Sequence, residues 1–140
     1  MLRPAARIPI VLACVGAVAL PGCGGSSSSE TDQVRKAVTG FYDALIAKNG
    51  PKACGQLTPA FKAKSEAAFS VVARRRITCD AYVSNPPLET SDAPAKVSDI
   101  KVSGDSATVK IVRANTSASA QLRKVDGKWK IASIGRFQKI

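Results

Sequence analysis

Few side chains in this chain are suited to chemistry. Among 140 residues there are four cysteines (Cys14, Cys23, Cys54 and Cys79) and no histidine. Without imidazole a His-dependent acid–base mechanism is excluded, and two isolated cysteines do not make a zinc set. No glycine-rich phosphate loop and no serine-nucleophile signature occurs. Tyr42 beside Asp43 is the nearest thing to a catalytic dyad. Adjacent residues on a helix point in different directions, however, so Asp43 reads as solvated and Tyr42 as core. The expectation is no catalytic residue, no cofactor and no metal.

Cys23 has a context of its own. Arg3 and Arg7 precede residues 8–20, 13 positions without a charge, and the run ends in Leu20-Pro21-Gly22-Cys23. A basic start and an apolar run of this length form an export signal, whereas a spanning helix needs about 20 apolar residues. The segment resembles the lipobox of bacterial lipoproteins, with Pro21 where Ala or Ser is usual. That resemblance implies cleavage before Cys23, a diacylglyceryl group on its sulfur, and anchoring to the cell membrane on its extracytoplasmic side. Val11-Leu12-Ala13-Cys14 also fits the short pattern, but the apolar run would then continue past the cut. Ordinary secretion with an unmodified Cys23 is the alternative.

Residues 24–29, Gly-Gly-Ser-Ser-Ser-Ser, read as an unstructured tether spanning only about 13 Å. The expected layout is a lipoprotein signal peptide over 1–22, a lipidated Cys23 with its tether over 23–30, and one globular domain over 31–140. With Cys14 lost and Cys23 acylated, Cys54 and Cys79 are the single intrachain pair left in an oxidising compartment. Two buried free thiols are the alternative.

Charge bears on partners. The chain holds 21 basic and 10 acidic residues, and loss of Arg3 and Arg7 leaves 19 against 10. Such a surplus favours anionic lipid headgroups or cell-wall polymers. No basic stripe interleaved with aromatic residues is present, which argues against nucleic acid.

The elements that must position these residues follow from periodicity. Val34, Ala37, Val38, Phe41, Tyr42 and Leu45 form one apolar stripe, so a helix is expected over 32–48 with Thr31 as its N-cap. Asn49-Gly50-Pro51 is expected to end it, with Gly50 beyond the C-cap. A short helix carrying Cys54 follows, and Thr58-Pro59 opens a third that closes at Arg74-Arg75-Arg76. Thr78 caps one further turn holding Cys79 and Tyr82. Residues 85–95, with Pro86, Pro87 and Pro94, form a loop. Four strands complete the chain. Ala107, Val109 and Ile111 alternate inward, as do Ala118, Ala120 and Leu122, and then Trp129 and Ile131 after the Asp126-Gly127 hairpin turn. The fold class is α+β: about three N-terminal helices on a curved antiparallel meander of about four strands.

Val38-x-x-Phe41-Tyr42-x-Ala44-Leu45 and Asp126-Gly127-Lys128-Trp129-Lys130-Ile131 resemble motifs of the nuclear transport factor two-like, or SnoaL-like, superfamily. The resemblance implies a cystatin-like cone in which a curved sheet wraps the long first helix and leaves a cavity. The two cysteines are also similar to those of lipoprotein members. In the isomerase type a pocket tyrosine stands four residues before the Leu of the Ala-Leu pair; here that position is Phe41, which cannot donate to an oxyanion. The expected pocket is lined by Phe41, Tyr42, Leu45, Val109, Ile111, Ala120, Leu122, Trp129 and Ile131, with Ala107, Ala118 and Ala120 leaving room. The functional expectation is a membrane-anchored, non-catalytic domain binding an apolar small ligand or an envelope protein. A structural envelope component and a His-independent SnoaL-like enzyme are the alternatives.

Overall fold

A helix of six turns lies against one face of a sheet, and its sequence explains the contact. In the computed structural model, which describes residues 26–87 and 91–140, α1 spans Ser26–Ile46. Its stripe of Val34, Ala37, Val38, Phe41 and Tyr42 is buried, while Asp32, Lys36 and Asp43 face out. The helix starts five residues ahead of Thr31, so residues 26–29 are helical and Thr31 lies inside the helix, correcting the expected cap and part of the expected tether. Serine costs only about half a kcal/mol relative to alanine within a helix. Extending an existing helix gains a hydrogen bond per residue without a new nucleus, so the packed turns carry the serines with them. Cys23 and the expected signal peptide lie outside the described residues.

The end of α1 also departs from expectation. The chain turns at Lys48, which takes a left-handed φ of 53°, and the amide of Asn49 donates to the Ala44 carbonyl at 2.8 Å. Gly50 instead opens α2 (Gly50–Cys54), with Asn49 as the N-cap accepting from the Lys52 amide. The reason for glycine is proximity: a Cβ there would sit 2.2 Å from the Asp80 carbonyl oxygen. Gly50 thus lets the two disulfide-bearing helices meet. The next two starts are as expected. Thr58 caps α3 (Pro59–Ala73) by accepting from the Phe61 amide, and Thr78 caps α4 (Cys79–Ser84) by accepting from Ala81. There are therefore four helices among the described residues, one more than the expected three.

The sheet is open and antiparallel, in the order β1 (Lys96–Ser103), β2 (Ser106–Arg113), β3 (Thr116–Val125), β4 (Lys128–Ile134). Asp126 and Gly127, with φ of 50° and 74°, form the expected primed turn. A fifth strand, β5 (Gln138–Lys139), was not expected; it pairs with Thr116 and Ser117 of β3. Two bulges bend the strands. Asp99 and Ile100 together face Val109, and Ala132 is extra between the Leu122–Ile131 and Gln121–Ser133 pairs. The free edge of β4 is covered where the Thr58 amide donates to the Ile131 carbonyl and the Ile131 amide donates to Gln56. That seam fixes α2 and α3 to the sheet.

Candidate functional site

Two places gather the residues with chemical character. The first is the disulfide. Cys54 and Cys79 are bonded, with Cα atoms 6.0 Å apart and both residues buried. The bond ties α2 to α4, as expected, and the Cys79 amide donates to Glu66 Oε1 at 2.9 Å. Asp80 lies close to both sulfurs. Because the sulfurs are bonded to each other they offer no thiolate, so the trio is not a metal-ligand set.

The second is the interface between α1 and the sheet. All nine expected pocket residues come together there. Phe41, Tyr42, Val109, Ile111, Ala120, Leu122, Trp129 and Ile131 are buried in one cluster, and Leu45 packs against it half-buried. Val34, Val38, Leu57 and Val83 belong to the same cluster. The register accounts for the alanines. Ala107 pairs with Leu122, Ala120 with Val109, and Ala118 with Ile111. Each small side chain stands beside a large one, so the inner face alternates in bulk as a packed layer does.

The ends of this interface are closed by charged groups. At the C-terminal end of α1 the Arg113 guanidinium lies 4.7 Å from the centre of the Tyr42 ring. Its Nε donates to the Ala93 carbonyl at 3.0 Å, so the same side chain holds the end of the proline-rich segment. Burial pushes the Tyr42 hydroxyl up to about 12, opposed by the positive charge of Arg113. A phenol so placed stays neutral near pH 7 and is no general base. At the other end Lys124 pairs with Glu30 and lies 5.1 Å from the Trp129 ring centre. The Trp129 Nε1–H is buried without a hydrogen-bond partner.

Arg113, Lys124 and Glu30 were missed in the sequence, although the signal for the first two was there. Arg113 continues the inward series 107, 109, 111, and Lys124 continues 118, 120, 122. A basic residue on inward parity at a strand end can reach an aromatic ring at the margin of the core.

Clefts open to the surface lie mostly elsewhere. One of about 280 Å³ runs past Gln33, Lys36, Gln56 and Lys128 to the edge of Trp129. Two more, of about 240 and 290 Å³, lie on the outer face of the sheet and share Lys110 and Ser119. No helix among the described residues is long and apolar enough to cross a membrane. In comparisons with known proteins, no family model, curated protein or solved structure matches this chain.

Proposed function

We propose that this chain is an exported lipoprotein, held to the extracytoplasmic side of the cell membrane through lipid on Cys23, whose domain binds rather than catalyses. The observation that carries this reading is the buried Cys54–Cys79 disulfide. Such bonds persist in exported chains and are rare where thiols are kept reduced. It stands in the same chain as a basic, then charge-free leader ending in Leu20-Pro21-Gly22-Cys23. A long helix on an antiparallel meander supports the nuclear transport factor two-like assignment. Binding is favoured over catalysis because the buried hydroxyl at the interface, Tyr42, is held neutral and Asp43 faces solvent. The partners proposed are the membrane through its anchor, an apolar small ligand or envelope protein at the α1–sheet interface, and an anionic lipid or cell-wall polymer at the basic surface.

Fractionation tests the reading. Wild-type chain is expected in the membrane fraction, with Cys23→Ser left as a slowly processed, unacylated precursor. Identical processing and partitioning of the two forms would overturn it.

A further inference from the structure

Among the described residues no element covers the outer face of the sheet, and cations outnumber carboxylates on it, with Asp99 lining one cleft beside Lys101 and Lys110. Reading across the register, Ser98 pairs with Lys110 and Lys110 with Ser119; Lys101 pairs with Thr108 and Thr108 with Gln121; Ser106 pairs with Arg123 and Arg123 with Lys130. Each row carries a cation beside hydroxyl or amide side chains. Lys101, Thr108, Lys110, Ser119, Gln121 and Arg123 are all exposed. The ion pairs among the described residues are Lys62–Asp80 and Lys124–Glu30, so Lys101, Lys110 and Arg123 have no carboxylate partner there. Arg123 stands opposite Lys130 in the register; Lys130 Nζ donates to the Gly55 carbonyl, and Arg123 Nη1 donates to Ser106 Oγ at 3.5 Å. The two clefts that share Lys110 and Ser119 run along the middle of this face.

We propose that the outer sheet face is a binding surface for a linear polyanion, a chain bearing repeated phosphate or carboxylate groups. Lys101 and Lys110 stand on adjacent strands in neighbouring rows, a diagonal step of about 8 Å, so an extended chain can meet them in succession while the hydroxyls and amides bond its oxygens. The face has no aromatic side chain on which bases could stack, which disfavours single-stranded nucleic acid. Its apolar side chains, Val112 and Val125, stand singly at the ends of β2 and β3 and make no continuous patch to enter a bilayer. This inference rests on the reading of the domain as a binder, and it assigns the surface and the ligand class.

The test uses the chain from Gly24 onward, which contains every core residue among those described. Long-chain polyphosphate and polyglutamate serve as probes, titrated at 50 and 200 mM salt. If Lys101, Lys110 and Arg123 each neutralise one charge, affinity for polyphosphate falls about 20-fold between the two salts, and the salt slope drops by about 0.7 per cation removed. The triple variant Lys101→Gln, Lys110→Gln, Arg123→Gln is expected to lose most binding while keeping its thermal midpoint. A triple variant away from the sheet, Lys48→Gln after α1, Lys64→Gln on α3 and Arg75→Gln beyond α3, has the same net charge and is expected to bind like wild type. Equal losses in both variants, or no binding to either polymer at 50 mM salt, would overturn the proposal. So would binding to phosphatidylglycerol vesicles that the sheet-face variant retains while neither polymer binds. Acylation of Cys23 is read separately by mass, so failure here leaves the anchor untouched.

Discussion

Reducing the Cys54–Cys79 bond is expected to remove a large part of the domain's stability. The two residues are 25 apart in sequence. In the chain-entropy treatment, closing a loop of that size removes about 3.5 kcal/mol of unfolded-state freedom. A domain of this size is stable by about 5 to 15 kcal/mol, so the loss is a quarter to two-thirds of the total. The native state is hit as well. The bond joins α2 and α4 where Gly50 approaches Asp80, and reduction leaves two thiols in a packed core. With a urea slope of about 1.5 kcal/mol per M, the unfolding midpoint should fall by about 2 M. The assay is urea denaturation followed by circular dichroism, with and without reductant, beside the double variant Cys54→Ala, Cys79→Ala. Thiol titration of the unfolded, unreduced domain from Gly24 onward should find no free sulfhydryl. A midpoint unchanged by reductant, or two titratable thiols, would refute the reasoning.

Two further outcomes are expected. Ala120→Leu adds bulk beside Val109 on the buried inner face and should destabilise the domain by about 1 to 3 kcal/mol in thermal melts; unchanged or raised stability would show room there and favour the apolar pocket. Tyr42 has a hydroxyl raised by burial to about 12, against about 10 when unfolded. Above pH 10 the unfolded chain therefore binds fewer protons than the native one, so stability is full below that pH and falls toward pH 12 by about 2 to 3 kcal/mol. Tyr42→Phe should flatten this slope, and an equally steep decline in the variant would count against the burial argument.

Much of the fold was legible because it depends on short-range rules. The helical stripe from Val34 to Leu45, the Thr58-Pro59 and Thr78 starts, and the alternation around Val109 and Leu122 each follow from local pattern. What could not be read locally was set by tertiary contact. Gly50 looked like a helix end because glycine favours left-handed turns, yet it is there so that Asp80 can come close. β5 is two residues long, and its pairing with β3 across the Gly135 turn leaves little periodicity to see. The three alanines suggest room on the inner face; that each stands beside a larger side chain emerges only from the register of the assembled sheet. Arg113 and Lys124 were legible by strand parity, but their targets, Tyr42 and Trp129, emerge only when the sheet is assembled.

The central claim is that Cys23 is the acylated mature N-terminus, since the anchor and the compartment follow from it. Intact-mass and peptide mass spectrometry of the protein purified from membranes of a bacterial host that acylates lipoproteins tests this directly. The account predicts an N-terminal peptide beginning at Cys23 and carrying a diacylglyceryl mass, with Cys54 and Cys79 recovered as one crosslinked peptide pair. A mature chain that begins elsewhere, or an unmodified Cys23 at its N-terminus, would contradict it.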